Sequence, residues 1–374
     1  MKKEKKTTVM LGRIVALILL FSVLAQLPAF AAKPADESMQ VKIQDGLVFL
    51  ESEKELYGLD SIDFTNLSLG AQIPAYILAE QGLSFDTEVA YYPIIENGYW
   101  ILTAAVATNE FGEDVVTLST DFIDASLSLN SRNELDATLI FDENTAFVCT
   151  SDKMIPVATY AAEPNRMSIE DCTSGILLES VEIDASQSLK RSEPTQLQLT
   201  RATYPNTHGL SVSMVTQIAE NSCWSAVIMS ALSYYGKNVS VNDVYAASGV
   251  TKYEAASAGQ AALAVEVLGF HHGINTAYSG YYSGSLTIDT IKKETYDNSA
   301  PLFAAFGTGG STIGHAIAIR GYSEYDTFTT PYASYMDPAS GSFKVMSIPS
   351  TGKPVYVNAS GTSLRYETGF AIYR

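Results

Sequence analysis

The sequence predicts an α+β protein whose C-terminal half places helices before strands. Helical patterns occupy four stretches: 222–235, 241–247, 259–268 and 288–296. Short apolar runs typical of strands follow: 301–306, 315–321, 333–336, 343–346 and 369–373. Because the helices and strands are segregated along the chain, we expect two packed subdomains, one helical and one β, with a cleft between them.

The segment before this half predicts a second α+β unit with a mostly antiparallel sheet. Residues 91–95 and 100–106 form an apolar pair around the turn residues Glu96, Asn97 and Gly98, which is typical of a hairpin. Further strand patterns cover 115–118 and 137–141, and residues 70–79 predict a short helix despite a proline. We expect this unit to span residues 32–184.

The first 31 residues have the pattern of a secretory signal peptide. Five basic residues flank or precede the apolar run 14–27, and Ala29-Phe30-Ala31 has the small-x-small form of a cleavage site. A membrane anchor is the alternative, but the run is shorter than the ~20 apolar residues that span a bilayer. We therefore expect residues 1–31 to be removed, and the rest to be secreted and free of the membrane.

Charge is concentrated in one part of the chain. Residues 32–201 carry a net charge of −20, and the whole chain carries −18. This balance argues against a nucleic-acid partner, because phosphate binding needs a basic face. The acidic residues predict a solvated surface.

Residues 185–206 lose the apolar periodicity and are rich in Ser, Thr and Gln, as in an exposed linker. The basic residues Lys190, Arg191 and Arg201 are candidate sites at which a precursor is cut. The alternative is an ordinary tether that stays intact. The domains expected are thus 1–31, 32–184, the linker 185–206 and a C-terminal domain over 207–374.

Three cysteines occur, and an odd number leaves at least one thiol unpaired in a secreted chain. Cys149 and Cys172 lie in the acidic segment, and the sequence neither predicts nor excludes a disulfide between them. Cys223 is the only cysteine of the C-terminal domain, and Asn221 and Ser222 are good helix N-cap residues directly before it. The first turn of a helix favours the negative charge of a thiolate nucleophile, although a buried apolar cysteine is the alternative.

Four histidines are available as a general base for such a nucleophile. His315 opens the alternating strand GHAIAIRGY after a glycine-rich loop at 307–314, so it is placed to face a cleft. His271 and His272 end a helix, and His208 lies near the linker, so these three are weaker candidates. Apart from the adjacent pair His271-His272, no ligand-spaced His or Cys is found, and we expect no metal or other cofactor.

These residues together resemble the papain-like cysteine peptidases. The resemblance rests on Gln217 with Cys223 and Trp224 at the helix start, on the histidine strand at His315, and on Asp337 in the run YMDP, where the family has its orienting Asn. It covers residues 207–374. A signal, a pro-domain and a compact peptidase domain most resemble the layout of secreted bacterial staphopain-type enzymes.

Two departures from papain favour compact bacterial branches. Cys223 and His315 are 92 residues apart in the sequence, whereas the papain and cathepsin spacing is roughly 130–150. Asp337 replaces Asn, and Asp-Pro at this place resembles the bacteriocin-leader peptidases. Asp326 is the alternative partner of His315.

The resemblance implies a secreted cysteine endopeptidase made as a zymogen. Cys223 would be the nucleophile, His315 the general base and acid, Asp337 the orienting residue, and Gln217 an oxyanion donor. It further implies protein or peptide substrates, a monomer, and a pro-domain that inhibits its own peptidase domain. Two alternatives remain: an enzyme acting on another amide, as a cell-wall amidase or transpeptidase, and an inactive binding or adhesive module.

Overall fold

The computed structural model describes fourteen stretches of the chain: residues 34–79, 82–86, 88–123, 136–141, 145–150, 154–159, 181–182, 187–189, 204–272, 278–279, 286–308, 313–357, 361 and 363–374. The predicted signal segment and most of the predicted linker lie outside these residues. Residues 309–312 of the glycine-rich loop and Cys172 also lie outside them. A disulfide between Cys149 and Cys172 is therefore outside the described residues.

The described residues form five α-helices: α1 (Glu37–Ser52), α2 (Cys223–Tyr234), α3 (Val241–Ser248), α4 (Ala258–His271) and α5 (Ile288–Lys292). Single turns of 3-10 helix cover Phe64–Asn66 and Glu220–Ser222, and a π-helical turn, Lys293–Asp297, extends α5. Helices α2 to α4 confirm three of the predicted helices. Among the described residues no helix is long and apolar enough to cross a bilayer.

The strands of the described N-terminal part are β1 (Leu67–Leu69), β2 (Ala75–Ala79), β3 (Gly82–Phe85), β4 (Val89–Glu96), β5 (Tyr99–Thr108), β6 (Asp114–Ser119), β7 (Asp136–Phe141), β8 (Thr145–Cys149), β9 (Met154–Thr159), β10 (Val181–Glu182) and β11 (Gln187–Ser188). The C-terminal strands are β12 (Thr207–Gly209), β13 (Tyr278–Ser279), β14 (Leu302–Gly307), β15 (His315–Ser323), β16 (Tyr332–Asp337), β17 (Ser342–Ser347), β18 (Val355–Val357) and β19 (Ser363–Ile372).

One large antiparallel sheet runs through both halves of the described chain. Its order is β11-β1-β4-β5-β6-β17-β16-β15-β14-β19-β13, with β12 on β15 and β18 on β19. The two halves meet where β6 pairs with β17, with Leu118 opposite Val345. A smaller sheet has the order β3-β2-β7-β8-β9, with β10 on β7, and its β2–β7 pair is parallel. The protein is thus a mixed α/β structure with few helices.

Helix α1 packs across the junction of the two halves. The Asp36 side chain accepts a hydrogen bond from the Met39 N–H and so caps its start. Gly46 lies so close to the sheet that a Cβ there would be 2.7 Å from Leu118 and 2.8 Å from Tyr332. One apolar cluster therefore joins α1 with strands of both halves.

Helices α2, α3 and α4 cover the C-terminal part of the sheet. Their buried faces share one apolar cluster with Phe303, Ala316, Ala318 and Phe370 of β14, β15 and β19. Alanines on the strands allow α2 to approach β15 closely, which fixes the start of α2 relative to the start of β15. The predicted division into helical and β subdomains with a cleft stays a prediction.

One prediction for the N-terminal segment is wrong and one is confirmed. Residues 70–79 do not form a helix: the carbonyl of Pro74 accepts a hydrogen bond from Leu139, and β2 pairs on both sides with β3 and β7. Pro74 directly precedes β2, and proline is tolerated at the start of a strand, where its missing N–H removes no ladder hydrogen bond. The helix of this segment is α1 instead. The predicted hairpin is confirmed as β4 and β5, and Asn97 and Gly98 both have positive φ, as a tight hairpin turn requires.

Candidate active site

The loop before α2 holds Cys223 at the first position of the helix. Ser222 is the N-cap, but its hydroxyl accepts hydrogen bonds from the N–H groups of Ile218 and Ala219 and donates to the Ala219 carbonyl. The serine therefore closes the preceding loop rather than capping the helix. Cys223 is 3 % exposed.

His315 and Asp337 are brought together by the pairing of β15 with β16. His315 begins β15, Asp337 ends β16, and Ala318 lies opposite Met336 in the antiparallel register. The two residues therefore lie at the same end of neighbouring strands. His315 Nε2 donates a hydrogen bond to Asp337 Oδ1 over 3.0 Å.

Cys223 completes a chain of contacts through His315. The His315 ring is also hydrogen-bonded to the Cys223 side chain, and Nδ1 is the ring nitrogen left for it, because Nε2 faces Asp337. The ring of Tyr356 stacks on the imidazole with centroids 4.4 Å apart and planes 21° apart. The imidazole is thus held at Nε2 by Asp337 and on one face by Tyr356, while Cys223 interacts with the same ring.

The surroundings of His315 favour its protonated form. Burial lowers the pKa of His315, but the hydrogen bonds to Asp337 and Cys223, together with the charges of both, outweigh burial and raise the pKa to about 9. An imidazolium beside a thiol can balance a thiolate. The geometry therefore suits a thiolate–imidazolium pair near neutral pH.

Asp337 is completely buried and accepts hydrogen bonds on both oxygens. Oδ1 accepts from His315 and from the Ala339 N–H over 3.0 Å. Oδ2 accepts from the Tyr356 hydroxyl over 2.9 Å and lies 2.7 Å from Lys344 Nζ. Burial raises the pKa of Asp337, but the charge of Lys344 and the hydrogen bond from His315 outweigh it and hold the pKa well below its usual range.

Lys344 and Tyr356 are site residues that the sequence reasoning missed. Lys344 lies in β17, is only 5 % exposed and contacts two carboxylates, Asp337 and Asp121. The only signal in the sequence is a lysine within the apolar strand run SFKVMS. A tyrosine in the short strand VYV carries no signal of its own, because tyrosine is common in strands.

Gln217 lies beside the end of β16, as its main-chain N–H donates to the Pro338 carbonyl over 2.8 Å. Its side-chain nitrogen donates to the carbonyls of Ala219 and Glu220 over 3.1 and 3.0 Å. Its side-chain oxygen is buried without a hydrogen-bond partner among the described residues. In this arrangement the amide protons are directed at the loop itself.

The remaining candidates lie apart from this cluster. Asp326, the alternative partner of His315, is exposed in the turn at the far end of β15. His271 and His272 are exposed at the end of α4, and the ring of His208 contacts the Thr295 carbonyl over 3.0 Å. Trp224 is fully buried and donates to the Glu254 carbonyl, so it is a packing residue of α2.

No group of three or more His, Cys, Asp or Glu side chains suited to a metal ion occurs in the part of the chain that the structure describes. The chemistry of the cluster is instead that of a thiol, an imidazole and a carboxylate in series.

Residues 209–364 match the Peptidase_C39 like family. This is a family related to cysteine peptidases, and the match supports a cysteine peptidase-type hydrolase. It spans 156 of the 374 residues and includes Gln217, Cys223, His315 and Asp337. No curated protein matches the chain. Asp121, which contacts Lys344, lies outside the matched residues.

Proposed function

We propose that the protein is a cysteine endopeptidase that hydrolyses peptide bonds through Cys223, His315 and Asp337. The proposal is carried by one observation: His315 contacts both the thiol at the start of α2 and a fully buried carboxylate. The match to the Peptidase_C39 like family supports the same chemistry.

In the acylation step, the Cys223 thiolate attacks the carbonyl carbon of the peptide bond. The carbon–nitrogen bond then breaks, and the His315 imidazolium gives its proton to the leaving amine. In the second step, neutral His315 takes a proton from water, and the hydroxide formed attacks the thioester. The acid product leaves, and the thiolate–imidazolium pair is restored. Asp337 stays ionised throughout and holds the imidazole in one tautomer.

The oxyanion of each tetrahedral intermediate needs donors. The Cys223 N–H is at the first turn of α2, where the helix leaves main-chain donors without intrahelical partners. Gln217 is the second donor in this proposal. Its amide must first turn away from the carbonyls of Ala219 and Glu220, which it contacts in the present arrangement.

The finer assignments are also proposals, and they rest on the sequence. We propose a papain-like enzyme with a layout like that of staphopain-type peptidases, secreted after loss of residues 1–31. We further propose that the chain is made as a precursor cut between residues 190 and 205. Protein sequencing of the N-termini in the medium of expressing cells tests both, and an intact chain that keeps residues 1–31 contradicts both.

The experiment on the peptidase itself compares the wild type with Cys223→Ala. We expect hydrolysis of unstructured protein and peptide substrates by the wild type, and loss of that activity in the variant. Trp224→Phe, which changes the neighbouring residue but keeps the thiol, is the matched control. Full peptidase activity in Cys223→Ala would refute the mechanism.

The same proteins are then assayed on cell-wall amides and for amide exchange between peptides. A Cys223-dependent activity on these substrates without peptide hydrolysis would favour the amidase or transpeptidase alternative. Failure of wild-type Cys223 to react with an electrophilic peptide epoxide would favour an inactive module.

A further inference from the structure

Asp121 reaches the candidate active site from the N-terminal half of the chain. It lies two residues beyond the end of β6, and its Oδ2 is 2.5 Å from Lys344 Nζ. Its Oδ1 accepts a hydrogen bond from the Ser342 hydroxyl over 2.7 Å. Lys344 in turn contacts Asp337, which accepts the hydrogen bond of His315. A continuous polar chain thus joins the N-terminal half to the imidazole.

The sheet explains why these groups meet. Strand β17 is paired on one side with β16 and on the other side with β6. Lys344 of β17 therefore lies between the end of β16, which carries Asp337, and the end of β6, which leads to Asp121. Asp121 is therefore connected to the imidazole through Lys344 and Asp337, and not through Cys223.

We propose that Asp121 is a positioning residue of the active site and that the N-terminal half stays on the catalytic unit as a permanent part of it. The proposal rests on the proposed peptidase function, since it assigns a role in the same site. It replaces the expectation that a cut in the linker releases this segment.

The positioning role follows from the charges around the imidazole. Among the described residues, the groups that face His315 are Cys223 of α2, Asp337 of β16 and Tyr356 of β18, and Lys344 of β17 follows directly behind Asp337. Asp121 balances the charge of Lys344. Without it, the positive charge of Lys344 would be less balanced and would oppose the imidazolium.

Several contacts that hold the N-terminal half in place lie outside the linker, and the one linker residue of the α1 cluster, Leu189, precedes Lys190. Arg320 forms an ion pair with Glu53, with Nη1 and Oε2 2.6 Å apart, and also donates to the Ser334 hydroxyl. The Tyr57 hydroxyl contacts the same Ser334 over 2.7 Å. These groups are largely buried beside the apolar cluster of α1. A cut after Lys190 or Arg191 leaves all of them intact.

The first test measures the titration of His315 by NMR in the full chain with labelled histidine. Asp121→Asn is compared with the control Glu113→Gln. Glu113 also lies in the N-terminal half and contacts Ser350 and Thr351 of the C-terminal half, but it does not contact the site. We expect Asp121→Asn to lower the pKa of His315 by roughly 0.5 to 1 pH unit. Glu113→Gln should leave it unchanged, and Asp121→Glu should restore it.

A folded Asp121→Asn protein with the wild-type titration overturns the positioning role, and so does an equal shift in Glu113→Gln. Alkylation of wild-type Cys223 by iodoacetamide, followed by mass spectrometry of its peptide, is measured in parallel. An unreactive Cys223 with an ordinary His315 titration would contradict the proposed peptidase function. A reactive Cys223 with no effect of Asp121→Asn would contradict only the present inference.

The second test leaves every residue of both halves unchanged and alters only the linker between them. A specific protease site is inserted in the linker after Arg191, the full chain is cut, and the product is passed over a sizing column. We expect the two fragments to elute together and Cys223 to stay reactive. Separate elution of the fragments with an unchanged reactivity of Cys223 would overturn the proposal that the N-terminal half stays on the catalytic unit.

Discussion

Raising the pH from 6.5 to 9.5 is expected to weaken the folded state by removing the proton from His315. The pKa of this histidine is raised from its ordinary value of 6.5 to about 9. A raised pKa means that the folded state binds the proton more tightly than the unfolded state. The stabilisation is therefore complete below pH 6.5 and is lost as the pH rises to about 9. The shift corresponds to about 3 kcal/mol as an upper value.

The assay is urea unfolding at a series of pH values, followed by far-UV circular dichroism. The wild type is compared with His315→Gln, whose side chain is uncharged at every pH and similar in size. The difference in unfolding free energy between the two proteins isolates His315 from the other groups that titrate in this range. We expect this difference to fall by up to about 3 kcal/mol between pH 6.5 and 9.5.

Parallel stability curves for the two proteins across this range would refute the reasoning. They would mean that His315 binds its proton equally well in the folded and unfolded states. In that case Asp337 and Cys223 do not stabilise an imidazolium. The pH dependence of the unfolding free energy would then not support a thiolate–imidazolium pair.

Three substitutions test the supporting structure. Lys344→Met should lower the unfolding free energy by about 3–5 kcal/mol at pH 7, because it removes the cation that pairs with two largely buried carboxylates, Asp337 and Asp121; the exposed Lys293→Met should change it by less than about 0.5 kcal/mol. Gly46→Ala should destabilise by about 1–2 kcal/mol in urea unfolding, because the added methyl would meet the sheet at 2.7 Å. Tyr356→Phe should cost about 1 kcal/mol and reduce kcat, because the ring keeps its place on the imidazole while the hydrogen bond to Asp337 is lost; unchanged stability and kcat would contradict this.

Local patterns predicted most elements of the C-terminal half. The helices from 222, 241 and 259 have polar N-cap residues before an apolar stripe, and the structure has helices from Cys223, Val241 and Ala258. The strands could be predicted because apolar runs of four to eight residues separated by turn residues are typical of strands. Only their ends differ, by at most six residues, since pairing with a neighbour decides where a strand stops.

The N-terminal half shows where local patterns fail. Helix α1 contains Gly46 and the β-branched residues Val41 and Ile43, which disfavour a helix on their own. Burial against the sheet outweighs this preference, and the glycine is what allows so close an approach. Residues 75–79 form a strand because β7, some 60 residues later, provides a partner. The pairing with β7 cannot be read from neighbouring residues, although the other partner, β3, follows β2 directly.

The sequence by itself determined which residues are the candidates for the chemistry. A cysteine at a helix start, a histidine at a strand start and an aspartate after a strand are local signals, and the structure places Cys223, His315 and Asp337 in one line of contacts. Only the tertiary structure decided what surrounds them. Lys344 and Asp121 are separated by more than 200 residues and meet because β17 lies between β16 and β6. Long-range strand pairing sets such contacts, and a buried charge is recognised as essential only when its partners are in place.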